Sequence, residues 1–271
     1  MTIAFDKEAC TRCGICSDVC LTGVITQEEG ELPGVGEERA GMCGGCGQCE
    51  AFCPTGAVTR DSVPAEKIAA GPVSPGQLGS HIKSRRSIRQ YRTEPVPQET
   101  IREILDIARY APSAMNTQPV GWLVLDGDDV QTVARLTVDW MRGLEPGHPL
   151  HGYREWFIQA WDNGKDIICH YAPHLLVAHV PAGNPMAAND AIIALTHVDI
   201  AAPAFGAGTC WAGIVASAAR SYRPLQDFLS LPEGREAAYA MMLGYPKYKP
   251  HRIPARKPLQ VTWGNTKGRK P

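Results

Sequence analysis

No stretch of this 271-residue chain runs for eighteen apolar residues without a break. That argues against a membrane-spanning helix, which needs about 20 such residues. The most apolar region, 187–219, is interrupted by Asp190, His197, Asp199 and Pro203. The N-terminus lacks a basic stretch followed by an apolar run, so no secretory leader is expected and the protein reads as cytoplasmic. Charge of one sign is missing too. The 27 Lys and Arg nearly cancel the 28 Asp and Glu, and a net charge of −1 points to neither a nucleic-acid nor a membrane partner. No G-x-G-x-x-G opens a strand–helix unit, and there is no P-loop, so neither a Rossmann nicotinamide site nor a nucleotide-phosphate loop is supported. What remains, 44% hydrophobic and 20% charged, suits a soluble protein with a real core.

Cysteine is abundant and unevenly placed. Of ten, eight lie before residue 54, as Cys10, Cys13, Cys16, Cys20 and as Cys43, Cys46, Cys49, Cys53, the last followed by Pro54. Both sets follow C-x2-C-x2-C-x3-C, the spacing that holds cubane iron–sulfur clusters. Three thiolates two residues apart let a tight loop wrap one cubane, while the fourth turns away to the other. The expected ligand sets are Cys10, Cys13, Cys16 with Cys53, and Cys43, Cys46, Cys49 with Cys20. Glycines 14, 44, 45 and 47 allow close backbone approach. Disulfides do not suit a chain without a leader, and zinc sites use separated pairs. Residues 1–62 resemble bacterial two-cluster ferredoxins, which implies two [4Fe–4S] clusters serving as an electron wire. Leu21 departs from the second proline common in that family. This region sums to −6 and the remainder to +5, so opposite faces could help the two modules dock.

Residues 63–80 hold Pro64, Pro72 and Pro75 and read as an extended linker. Beyond it, Ile101, Ile104, Leu105 and Ala108 recur at helical spacing, predicting a helix over 97–110 closed by Pro112. Apolar runs predict strands at 122–126 and 175–180. Helices are expected at 130–141, 187–202 and 213–222, and 238–243 leads into a Gly-Tyr-Pro turn. The alternation predicts a mixed α+β fold, a central sheet wrapped by helices, with a small N-terminal domain.

Three segments carry the second resemblance: Arg85-Arg-Ser-Ile-Arg-Gln-Tyr91, Ala111-Pro-Ser-Ala-Met-Asn-Thr-Gln-Pro119 and Gly206-Ala-Gly-Thr-Cys-Trp211, followed by Leu243-Gly-Tyr-Pro246 and Pro254-Ala-Arg-Lys-Pro258. Together, over roughly 81–260, they resemble the FMN-dependent nitroreductase family in its ferredoxin-fused subgroup. The resemblance implies an intertwined homodimer with FMN at its interface. It assigns Arg85, Ser87 and Arg89 to the FMN phosphate and ribityl chain, and Pro112, Ser113, Ala114 and Asn116 to the flavin of the partner subunit. Gly208 and Thr209 would offer backbone N–H groups to the ring, and Arg256 would reach the phosphate. Pro254 stands where many relatives have lysine, and Lys257 is the nearest compensating cation.

The aromatic segment 139–166, with Trp140, Tyr153, Trp156, Phe157 and Trp161, fits either a lid over the flavin or a peripheral helical hairpin. Tyr153, His148 and His151 are its candidate proton donors. Cys169 and Cys210 read as buried thiols, and His170, His174, His179 and His197 form no metal spacing. Residues 261–271 read as a basic tail. The implied flow is from a low-potential donor such as an external ferredoxin, through the clusters, to FMN and an organic acceptor: a nitroaromatic, a quinone or an activated alkene. The alternatives are substrate oxidation with the wire reversed, and a low-turnover redox sensor.

Overall fold

A computed structural model describes residues 2–68 and 71–264 of the chain; most of the 261–271 tail lies outside the described residues. The small module contains β1 (Ile3–Phe5), α1 (Ile15–Asp18), β2 (Ile25–Thr26), β3 (Gly34–Val35), α2 (Gln48–Ala51) and β4 (Val58–Arg60). β1 pairs antiparallel with β4, and β2 with β3. The two one-turn helices each begin behind a left-handed glycine, Gly14 at φ 80° and Gly47 at φ 74°. A side chain at either position would strain that turn. The core cluster is Cys16, Ile25 and Val58, with Ile3, Phe5, Cys20, Cys49 and Cys53 packed against it. Cysteines thus occupy the place where a larger domain would put leucine and valine.

The large module begins earlier than the sequence suggests. Residues 75–80, expected in the extended linker, belong to α3 (Pro75–Ser84). Ser74 explains the difference: its hydroxyl accepts from Gln77 N, Gln77 reaches back to the Ser74 N–H, and Pro75 occupies the first turn. Then follow α4 (Gln98–Ala108), β5 (Gly121–Asp126), α5 (Gly127–Arg142), α6 (Arg154–Asp162), β6 (His174–Pro181), α7 (Pro185–Ala201), β7 (Gly208–Trp211), α8 (Gly213–Ser221), α9 (Arg223–Leu229) and β8 (Arg235–Gly244). The sheet runs β5-β6-β8-β7, every neighbour antiparallel.

Alternation along β6 and β8 divides the core between two faces. Leu175, Val177, Ala240 and Met242 pack with residues of α5, α6, α8 and α9. Leu176, Ala178, Met241 and Leu243 pack with α4 and α7. The sheet is therefore wrapped on both sides. α7 is apolar almost all round, yet carries two buried carboxylates, Asp190 and Asp199. Among the described residues no helix is long and apolar enough to cross a membrane.

Leu176 is fully buried on the central strand β6. Leu176→Ala should therefore lower unfolding stability by about 3 kcal/mol, as cavity-forming core truncations do. A denaturant titration reads this as a fall in the midpoint at unchanged slope.

Candidate functional site

The eight N-terminal cysteines are placed by the small module with no disulfide among the described residues. Cys20, Cys43, Cys46 and Cys49 line one cavity of about 550 Å³. Among the described residues no three Cys, His, Asp or Glu side chains gather closely enough to share a single metal ion. The thiols divide by position in the motif. Burial pushes Cys49 up to about 11 and raises Cys16, the third cysteine of each set. In the fourth cysteines burial is outweighed by hydrogen bonds: backbone donors at Ile25, Val24 and Thr22 lower Cys20, and Thr55, Val58 and Ala57 lower Cys53. Thr22 and Thr55 place hydroxyls 4.0 and 3.7 Å from the respective sulfurs. A sulfur ringed by donors favours its anionic form, which is the form that binds metal.

The same cavity is walled on its other side by Pro112, Ser113, Met115 and Asn116 of the large module. The Asn116 amide donates to Gly45 O at 2.8 Å. A Cβ on Gly44 would lie 3.2 Å from Met115 O, so a side chain there would crowd the close approach of the two backbones. The turn from Pro112 to Pro119 is strained and tied down. Met115, Asn116 and Gln118 adopt φ of 51°, 53° and 46°, and αL geometry is costly for non-glycine residues. Ala114 N donates to Asp190 Oδ1 at 3.2 Å, Gln118 N to Ser113 Oγ at 2.9 Å, and Arg235 to Pro119 O at 2.6 Å. Arg235 also donates to His179 Nδ1 at 2.7 Å.

A second cavity of about 530 Å³ is lined by Arg85, Arg86, Arg92, Lys247 and Lys249, together with Gly208 and Thr209. Segment 85–92 runs beside β7: Ile88 N donates to Thr209 O at 2.8 Å, and Gly208 leaves no room for a Cβ against Ile88. Arg85 pairs with buried Asp199 at 3.2 Å. Asp199 also accepts from the Thr209 hydroxyl and from Trp211 Nε1, the latter at 3.3 Å. The Thr209 side chain is thus turned to α7. The Cys210 thiol brings the basic motif together: burial pushes it up, opposed by the Arg89 charge, a Ser87 hydrogen bond and the Arg85 charge. Asp199 escaped the sequence reading except as a break in an apolar stretch; an acid amid buried alanines and valines was its only signal.

The remaining candidates lie elsewhere. Pro112, Ser113 and Asn116 line the first of these two cavities, and Arg85, Gly208 and Thr209 the second. Arg256 sits in the exposed irregular segment after β8 and makes no ion pair or hydrogen bond among the described residues. Segment 139–166 forms a helical hairpin, with Trp140 and Phe157 buried and Trp161 packed on the core. Tyr153 and Trp156 remain exposed. His148 stacks edge-on to Trp140 at 5.4 Å and accepts from Leu150 N. His151 lies in the short turn before α6. None of these three proton-donor candidates lines either cavity.

Two family profiles match the chain: the nitroreductase family over residues 82–245, and a 4Fe-4S dicluster domain over residues 9–58. The chain is 38% identical over 76 residues to a chloronitrobenzene nitroreductase of Comamonas testosteroni, covering 28% of this chain and 33% of the relative. It is 35% identical over 82 residues to a nitrobenzene nitroreductase of Ectopseudomonas oleovorans, covering 29% and 36%. These alignments span only about a third of either relative. A nitroreductase with bound FMN from Desulfitobacterium hafniense shares the fold at TM-score 0.56 and 21% identity, over 69% of this chain and 98% of that one.

His174 and His179 titrate below the ordinary 6.5, chiefly because burial disfavours the imidazolium, with Arg235 adding repulsion at His179. Both are therefore neutral in the fold where the unfolded chain already takes up protons. Stability should be full above about pH 6.5 and fall as the pH drops from there toward the folded values. A thermal-midpoint series from pH 7.5 to 5.5 checks this. His174→Gln, whose amide oxygen keeps the 2.9 Å bond from Val96 N without titrating, should show a smaller fall.

Proposed function

The chain belongs to the nitroreductase family, and from that premise we propose that it is an FMN-dependent oxidoreductase fed by two [4Fe–4S] clusters on its N-terminal module. The observation that carries this reading is the cavity shared by Cys20, Cys43, Cys46 and Cys49 with Pro112, Ser113, Met115 and Asn116. A cluster-holding loop and a flavin-contacting turn are thereby backbone neighbours, as an electron route requires.

The residues suit both groups. Four cysteines lining one cavity, on loops kept open by glycine, provide the donor set and room for a cubane. A cavity ringed by Arg85, Arg86, Arg92, Lys247 and Lys249 suits a phosphate, with guanidinium forks matching two oxygens at once. FMN when bound supplies the two-electron chemistry, and the chain supplies position and electrostatics. Arg85 lines this cavity and anchors the phosphate end; Ser87 and Arg89, which the resemblance assigns to the same group, stand beside Cys210 and outside the cavity's lining. Asp199 holds the Arg85 guanidinium and the Thr209 hydroxyl in fixed orientation. Gly208 keeps the backbone of β7 accessible at the cavity wall. The turn at Pro112, Ser113, Ala114 and Asn116 covers the ring. It lies in a different cavity from Arg85, which favours a flavin cradle completed by the partner in a homodimer. Arg256, which pairs with no other described residue, is available for the same phosphate.

The donor in this reading is a low-potential one-electron carrier such as a ferredoxin. The acceptor is a nitroaromatic, a quinone or an activated alkene. Clusters deliver single electrons and the flavin accumulates two, so no nicotinamide site is needed.

Anaerobic purification with iron, sulfide and flavin quantified tests the assignment. Replacing both Arg85 and Arg89 by alanine should lower FMN occupancy several-fold while leaving iron nearly intact. Equal loss of both would indicate collapse of the fold and remove the support for a phosphate role.

A further inference from the structure

The two cysteine sets do not stand in equivalent places. Cys20, Cys43, Cys46 and Cys49 line the cavity bounded by Met115 and Asn116. The Gly45 carbonyl, between Cys43 and Cys46, accepts from Asn116 Nδ2 at 2.8 Å and also from the Arg60 guanidinium. Arg60 is itself held by Glu50, through an ion pair of 3.4 Å and a 3.0 Å bond from its backbone N–H. The loop is therefore fixed from both sides, by its own module through Arg60 and by the large module through Asn116. The loop carrying Cys10, Cys13 and Cys16 is different. Its side-chain bonds stay within the small module, Arg12 donating to Gly30 O at 2.9 Å and Gln27 to Arg12 O at 3.2 Å. Among the described residues no hydrogen bond or ion pair joins that loop to the large module.

We propose that Cys20, Cys43, Cys46 and Cys49 form the inner, delivering site, that Cys10, Cys13, Cys16 and Cys53 form the outer, receiving site, and that Asn116 is the positioning residue that sets the inner site's approach to the large module. The inference rests on the function proposed above, in that it takes both sites to hold clusters and the large module to hold flavin. Its physical basis is distance. Tunnelling falls steeply with separation and faster through a gap than along bonds, and among the described residues it is the inner loop that a direct hydrogen bond links to the large module. Each passage moves one electron inward, oxidising the outer site by one and reducing the inner by one. The external one-electron donor then restores the outer site. Two passages match the electron pair that reduction of the organic acceptor consumes.

Two measurements on the full chain, reconstituted anaerobically, test the order. The first is amide hydrogen exchange in Asn116→Ala. Exchange should quicken several-fold across residues 43–49, with residues 10–16 unchanged and iron content preserved. Equal change in both loops, or in neither, would overturn the role of Asn116. The second is electron paramagnetic resonance of the half-reduced protein in Cys13→Ala and Cys46→Ala. Relaxation enhancement of the flavin signal by a neighbouring reduced cluster should survive in Cys13→Ala and vanish in Cys46→Ala. The opposite pattern would overturn the assignment. If either cysteine variant fails to fold, the same signal is read in Asn116→Ala, where the enhancement should weaken; an unchanged signal counts against the proposal. A preparation with clusters but no flavin would sink the proposed function, while the exchange measurement would still decide how the inner loop docks.

Discussion

The carbonyl of Gly45 is the point on which the two modules turn. It lies inside a loop whose cysteines face a common cavity, and it takes donors from both sides of the module boundary, Arg60 and Asn116. A buried or half-buried carbonyl needs a partner, and one with two lone pairs can accept two. Here both donors are side chains that could have pointed to solvent. Their convergence fixes a short segment of backbone against Met115, where a side chain at position 44 would be crowded. Much else follows from that contact: which cysteines face inward, which turn they face, and why that turn is held in an unfavourable backbone conformation.

The second organising constraint is electrostatic. The cavity near β7 concentrates cations, and self-repulsion among them would splay segment 85–92 away from the sheet. Asp199 counters this from α7 by pairing with Arg85 while also taking the Thr209 hydroxyl and the Trp211 indole N–H. A buried ion pair is weak evidence for stability, since desolvation offsets most of the attraction. Its value here is directional. One carboxylate sets the orientation of a helix, a strand and the basic segment relative to one another.

Much of this was legible in the residues alone. The doubled cysteine spacing identified the small module, and the basic, Pro-Ser-Ala and Gly-x-Gly-Thr motifs identified the large one. Helical periodicity located α4, the helices expected at 130–141, 187–202 and 213–222 fall on α5, α7 and α8, and apolar runs located β5 and β6. The misses have physical causes. α3 hid behind prolines and glycines because its signal was a cap, Ser74 with Gln77, not an apolar stripe. β7 was not among the expected strands because two of its four residues, Gly208 and Thr209, sit inside a glycine motif, and pairing with β8 supplied the order. Asp199 and Asp190 carry no periodic signature, since a buried acid is defined by partners that are distant in sequence. The aromatics of 139–166 fitted a lid or a helical hairpin equally well, and the hairpin is what forms, with Trp140 and Phe157 in the core, because indole and phenyl rings gain from burial. The modules' meeting at Asn116 was out of reach, since nothing in the chain records which face of a turn a distant loop will choose.

The turn at Met115, Asn116 and Gln118 has a consequence for how this architecture arose and how freely it can be taken apart. Three non-glycine residues in left-handed geometry form a spring that the neighbouring module helps to keep wound. The ferredoxin-like unit is then not merely cargo on a tether. It is a permanently bound ligand of its own enzyme, whose docking energy is spent in part on shaping the surface that receives it. Fusion in one chain keeps that ligand at high effective concentration. A lineage that shed the module would be free to let the turn relax and to redraw the floor of the pocket it borders.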